Sequence, residues 1–74
     1  MWKSGAIKTE KSVIRYWIKQ YEEGSQYGID EGCISKLTLV REDKTIANYD
    51  RGWDITPVDE EAELVLAILL KQFN

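Results

Sequence analysis

The last third of the chain constrains the fold most, because one apolar helix follows a sequence that otherwise reads as β-strand. Apolar residues recur there at helical spacing and form one broad stripe that must face a core. The stripe consists of Val58, Ala62, Val65, Leu66, Leu69, Leu70 and Phe73. Thr56 is the expected N-cap, Pro57 suits the first helical position, and Asp59 follows the cap by three residues. We therefore expect a C-terminal helix of about 17 residues, roughly 25 Å long.

Leu64 and Ile68 fall outside this stripe, although residues 64–70 are all apolar. The second half of the helix is thus more apolar than one sheet face can cover. Either a loop or strand edge of the same chain wraps the excess, or a partner or second copy covers it. Leu64 and Ile68 are therefore candidate self-association residues, and we consider a homodimer.

Four segments before the helix have the β-branched, aromatic and alternating character of strands. They span residues 2–9, 12–21, 33–41 and 45–50, with a glycine-punctuated loop at 22–32 and a tight polar turn at 42–44. Seventy-four residues allow one domain. The sequence predicts a single α+β domain over residues 1–74, a four-stranded antiparallel β-meander with the C-terminal helix packed on one face.

One helix can cover only one face of such a sheet, so the other face is solvated, partner-bound or joined to another copy. In the second strand, Ile14, Tyr16 and Ile18 are expected to point inward. The alternate side chains then form a basic and aromatic row on the open face, which Trp2 of the first strand could extend. The row consists of Arg15, Trp17, Lys19 and Tyr21.

This row has the composition of a single-stranded nucleic-acid platform, where bases stack on aromatic rings and cations follow phosphates. A sequence pI near 4.9 and the absence of an RNP-like motif oppose that function. An exposed strand face also often has this composition without a ligand. Nucleic-acid binding is therefore the alternative, and a protein partner is the first expectation.

A second candidate site is the run at 49–54, which places carboxylates, a guanidinium and aromatic rings around Gly52. Its candidate residues are Tyr49, Asp50, Arg51, Trp53 and Asp54. Asp50 and Asp54 could act as acid and base or bind a hard cation, but no further ligand spacing supports a metal loop. A structural alternative has Gly52 in a turn and Arg51 paired with a carboxylate. The run could also be a recognition surface, since Trp, Tyr and Arg are enriched at binding hot spots.

The distribution of charge and the cysteine content bear on how the segments pair and on the expected cellular compartment. The net charge is −3, with basic residues concentrated in residues 1–21 and acidic residues in 22–32 and 50–63. We expect these segments to pair across neighbouring strands. Cys33 is the single cysteine and is expected to be a buried, inert thiol. With no signal peptide or membrane-length apolar run, we expect a cytoplasmic protein that needs no membrane, metal or cofactor.

Several segments together resemble a known family. They are the run at 48–55, the Pro57 and acidic helix start ending in the apolar residues 67–70, and the upstream segments 21–25 and 27–29. The chain resembles a small uncharacterised family associated with Firmicutes bacteria and their phages or mobile elements. The resemblance implies that the glycine loop and the Asp50 to Asp54 run are family features. It implies no activity.

The functional expectation is a protein-interaction or accessory module that is not an enzyme. Its partner would bind the open sheet face or the run at 49–54. An enzyme or metal site built on Asp50 and Asp54 is the remaining alternative.

Overall fold

A computed structural model describes residues 1–74 and contains one antiparallel sheet followed by one α-helix. The elements are β1 (Trp2–Lys8), β2 (Val13–Gln20), β3 (Ile34–Arg41), β4 (Lys44–Asp50), β5 (Trp53–Ile55) and α1 (Glu60–Phe73). The strands lie in the sheet in their chain order. The α+β class and the antiparallel meander are therefore confirmed, whereas the predicted number of four strands is wrong, because the sheet has five.

The additional strand, β5, is formed by residues of the polar and aromatic run at 49–54 and by Ile55. Tyr49 faces Trp53 across the β4–β5 pair, and Asn48 faces Ile55. The chain reverses at Arg51, whose φ of 60° is left-handed, and the Asp50 amide donates to the Gly52 carbonyl at 2.9 Å. Three residues are too few to show the period-two alternation by which a strand is recognised.

The β3–β4 connection is a two-residue turn at Glu42 and Asp43. Both residues have positive φ, 50° and 63°, as the turns that match strand twist require. The predicted turn is thus confirmed, except that Lys44 already belongs to β4.

The helix begins later than predicted, because its N-cap is Asp59 and not Thr56. Asp59 has extended backbone angles, and its Oδ1 accepts a hydrogen bond from the Ala62 amide at 2.9 Å. The preceding residue, Val58, donates its amide to the Ile46 carbonyl of β4 at 3.1 Å. Tertiary hydrogen bonding therefore keeps residues 56–58 out of the helix, and the Val58 side chain is 56% exposed and does not join the apolar stripe.

The core lies between the sheet and α1. Ile14 and Ile18 of β2 are fully buried, which confirms the predicted inward side of that strand. From α1, Ala62, Val65 and Leu69 are fully buried. The other buried apolar residues are Ile29, Ile34, Leu37, Leu39, Ile46, Ala47 and Tyr49, and Ile7, Tyr16, Leu66, Leu70 and Phe73 pack at the rim.

Tyr16 also points to the helix side of the sheet, and it lies over Gly5 of the neighbouring strand β1. The two residues face each other in the β1–β2 register. A Cβ at Gly5 would come within 2.7 Å of the Tyr16 hydroxyl. The Tyr16 ring packs at 46° to Phe73, with centroids 6.2 Å apart. Glycine therefore lets a large ring close the gap between β1 and the end of α1.

The loop at 22–32 is anchored at its second half. A single 3-10 turn (Ile29–Glu31) buries Ile29. Asn74 follows α1, and its side-chain amide donates to the Ile29 carbonyl at 2.9 Å while accepting from the Ile34 amide at 3.0 Å. Tyr27 remains 56% exposed. Cys33, expected to be buried, is half-buried at the end of this loop and is outside β3.

Candidate binding face of the sheet

The face of the sheet opposite α1 carries the basic and aromatic row that the sequence predicts. Trp17 is 38% exposed, and Arg15 and Tyr21 are exposed as well, whereas their neighbours Ile14 and Ile18 are fully buried on the other side. Across the strands, Trp2 faces Lys19, and Lys19 faces Lys36 of β3. We call Trp2, Arg15, Trp17, Lys19 and Tyr21 the aromatic-basic cluster.

Cations in this cluster lie over the aromatic rings. The Lys19 ammonium is 6.0 Å from the Trp2 ring centroid and 5.5 Å from that of Tyr21. The Arg15 guanidinium carbon is 5.8 Å from the Trp17 ring centroid. Such contacts hold long side chains in place and so reduce the entropy lost when a partner binds.

Lys19 also changes the chemistry of the Tyr21 hydroxyl. Its hydrogen bond and its positive charge lower the pKa of Tyr21, and Ser35 and Arg51 add smaller effects in the same direction.

The β4–β5 side of the same face is polar and acidic. The Thr38 hydroxyl donates a hydrogen bond to Asn48 Oδ1 at 2.9 Å, and the side-chain Nδ2 of Asn48 donates one to Asp54 Oδ2 at 3.0 Å. Asp50 pairs with Lys36 at 3.7 Å. Asp50 and Asp54, whose cooperation was only an alternative, thus each engage a different neighbour, and the open face carries both signs of charge.

The remaining residues of the 49–54 run point elsewhere. Tyr49 is 7% exposed and belongs to the core, where its hydroxyl donates to the Tyr27 carbonyl at 2.8 Å. Trp53 packs edge-on against Tyr49 at 5.1 Å and is 40% exposed. Arg51 is exposed at the turn and does not form the predicted pair with a carboxylate: its amide, not its guanidinium, is engaged, donating to the Ser35 carbonyl at 3.1 Å. The run therefore divides between the core, the open face and the β5 edge.

Comparison with known families gives one match. The model of a family described as a domain of unknown function, DUF7678, matches residues 1–74. The chain belongs to this family. No curated protein and no solved structure matches it. The expected link to Firmicutes bacteria and their phages or mobile elements stays a prediction.

A polar cluster in this DUF7678 domain ties three elements together at the start of α1. Arg41, at the end of β3, contacts Asp59 at 2.8 Å and Glu61 at 2.7 Å. Glu61 also accepts hydrogen bonds from the hydroxyls of Thr9 and Ser12 in the β1–β2 turn. This cluster was not predicted from the sequence, although the arginine that ends β3 and the acidic residues at the start of α1 were a visible signal of it.

These contacts lower the pKa values of both acidic residues, Asp59 and Glu61. The hydrogen bond from Arg41 is the largest cause that lowers the pKa of Asp59, followed by that from the Ala62 amide. The hydrogen bond from Thr9 is the largest cause that lowers the pKa of Glu61, followed by that from Arg41. The two carboxylates in turn raise the pKa of Arg41. The cluster is most stable with all three groups charged.

Beside this cluster, an open groove of about 620 Å³ runs between β1 and α1 of the DUF7678 domain. Ile7, Leu64 and Ile68 form its apolar wall. Leu64 is 56% exposed and Ile68 40% exposed, so no segment of this chain wraps them. The apolar helix residues outside the core, Leu64 and Ile68, are thus exposed in a groove beside the edge strand β1.

No set of three or more His, Cys, Asp or Glu side chains is grouped so as to hold a metal ion. Neither is any helix long and apolar enough to cross a membrane.

Proposed function

We propose that this DUF7678 domain is a non-catalytic binding module of the cytoplasm, and that the open face of its sheet binds a protein partner. The main support for this proposal is the aromatic-basic cluster, centred on Trp17 in β2. Its cations already lie over its aromatic rings, on a face that α1 does not cover. The cytoplasmic part of the proposal is supported by the single cysteine.

The residue types favour a protein partner. Trp, Tyr and Arg are the residues that most often carry the binding energy of protein interfaces, and here they are clustered. Arg15 and Trp17 stand on β2, an interior strand of the hydrogen-bonded sheet, so binding there requires little ordering of the backbone.

Charge distinguishes a protein partner from a nucleic acid. The open face carries Asp50 and Asp54 together with its cations, and the whole chain is net acidic. A phosphate backbone crossing this face would meet both carboxylates, whereas a protein surface can match both signs. Single-stranded nucleic acid remains the second candidate, because exposed rings interleaved with cations favour base stacking.

A peptide library displayed on phage and selected against the immobilised domain tests the proposal. We expect enriched peptides whose affinity falls at least about tenfold, or about 1.4 kcal/mol, in Trp17→Ala. Leu64→Ala, an exposed apolar change on α1, is the control and should leave affinity unchanged.

Trp53→Ala separates the two candidate surfaces, since Trp53 matches Trp17 in residue type and exposure. Loss of affinity in Trp53→Ala alone would assign binding to the β5 edge. Failure to enrich any peptide, or equal binding by all variants, would overturn the proposal. Tight binding of an oligothymidylate that weakens steeply with salt would favour the nucleic-acid alternative.

A further inference from the structure

We propose that β1 is a self-pairing edge, at which a second copy of the chain adds its own β1 in antiparallel orientation and makes one continuous ten-stranded sheet. This inference does not depend on the proposed function. β1 is the first strand in the sheet order and has a neighbour on one side only. At seven residues it is much longer than β5 at the other edge.

The hydrogen-bonding groups on the free side of β1 follow from the β1–β2 ladder. Met1 and Gln20 exchange two hydrogen bonds, of 2.8 Å and 2.9 Å. Because bonded and non-bonded pairs alternate in an antiparallel ladder, Lys3, Gly5 and Ile7 direct their backbone groups toward β2. The residues that direct theirs outward are Trp2, Ser4, Ala6 and Lys8.

A two-fold axis at Gly5 matches this edge to itself. In that register Ser4 faces Ala6 of the second copy and Trp2 faces Lys8, so every facing pair on the free side joins two outward-directed residues. Registers centred on Ser4 or Ala6 leave part of the seven-residue strand unpaired. The three central residues, Ser4, Gly5 and Ala6, are small and do not obstruct approach.

The charges are also self-complementary in this register. No lysine faces a lysine. Each Lys8 faces a Trp2 ring of the other copy, an arrangement that favours a cation–π contact. On the helix side, Lys3 of the second copy faces Ile7 at the groove between β1 and α1, while the Lys3 ammonium lies 5.9 Å from the Phe73 ring centroid of its own chain. Glu10 and Glu60 line this groove together with Lys8 and Lys11, so it presents both signs of charge to the second copy.

Two double variants at exposed positions test the register directly. Ser4→Lys with Ala6→Lys places lysines opposite each other twice across the axis, whereas Ser4→Lys with Ala6→Glu places opposite charges together. Both leave the β1–β2 hydrogen bonds in place, and circular dichroism checks that both fold. By sedimentation equilibrium from about 10 µM to about 1 mM, we expect wild type at twice the 8.6 kDa chain mass.

The Lys/Lys variant should dissociate at least about tenfold more readily than the Lys/Glu variant. A wild-type chain that stays at 8.6 kDa over the whole range overturns the proposal. So does a dimer that persists equally in both variants. If that dimer instead dissociates in Leu64→Lys with Ile68→Lys, the interface is the exposed flank of α1.

Discussion

The Arg41 guanidinium lies 2.7 Å from the Glu61 carboxylate and joins the end of β3 to the first turn of α1. Glu61 also accepts from Thr9 and Ser12, so one carboxylate connects the β1–β2 turn, the sheet and the helix. The docking of α1 therefore depends on an ionised side chain.

This dependence predicts that the protein loses stability in acid. The pKa values of Asp59 and Glu61 are lowered by folding, so the unfolded chain binds more protons than the folded one as pH falls. The stabilising contribution is complete above the ordinary pKa values of these groups, 3.8 and 4.5, and is lost progressively below them. Urea unfolding at a series of pH values should show a falling midpoint from about pH 5 downward.

Glu61→Gln is the matched variant for this prediction, because it keeps the size of the side chain and removes its charge. Its unfolding midpoint should lie below that of wild type at pH 7 and should depend less on pH between about 3 and about 5. An unchanged pH profile would show that Glu61 does not carry the acid sensitivity.

Leu69→Ala should destabilise the domain strongly, since Leu69 is fully buried in the core. Removing a buried leucine side chain costs about 2 to 5 kcal/mol through lost burial and the remaining cavity. Leu64→Ala, on the same helix but 56% exposed, should change stability by less than about 0.5 kcal/mol. Chemical unfolding of both variants measures the difference, and similar values would contradict the placement of the helix.

Gly5→Ala should destabilise the domain by about 1 to 3 kcal/mol, because the new methyl group would meet the Tyr16 ring. A double-mutant cycle tests whether the Tyr16 ring causes this loss of stability. In a Tyr16→Ala background the cost of Gly5→Ala should largely disappear, since the obstructing ring is gone. An equal cost in both backgrounds would assign the effect to the β1 backbone instead of the ring.

The N-cap prediction compares two residues. Asp59→Ala should lower the melting temperature, because the Ala62 amide loses its partner and Arg41 keeps only Glu61, while Thr56→Ala should leave it nearly unchanged. Asp59→Asn keeps an acceptor for the amide and removes the charge, so it should fall between the two. A larger fall in melting temperature in Thr56→Ala than in Asp59→Ala would indicate that Thr56 is the N-cap and would contradict this prediction.

The elements that the sequence predicted correctly are those whose pattern is long enough to be read locally. In β2, alternation placed Ile14 and Ile18 inward and Trp17 outward, and the buried and exposed sides agree. The helix pattern likewise identified Val65 and Leu69 as core residues. The aromatic-basic cluster was visible for the same reason, since one strand contributes most of it.

The errors occur where a distant contact decides between local alternatives. Thr56 and Asp59 are both good N-caps, and Arg41 together with the Val58–Ile46 hydrogen bond selects Asp59. The Tyr49 ring could have belonged to a surface run, but the β3–β4 register places Tyr49 opposite the buried Leu37 and so on the core side of the sheet.

The sequence by itself determined the α+β class, the meander, the buried and exposed sides of β2 and the apolar excess of α1, because periodicity and residue type act over neighbouring positions. Only the tertiary structure decided the fifth strand, the helix start and the cluster around Glu61. It also showed that Leu64 and Ile68 open onto a groove at β1. These features depend on which segments meet across the sheet, and a carboxylate or an edge strand acquires its partners only when the chain is folded.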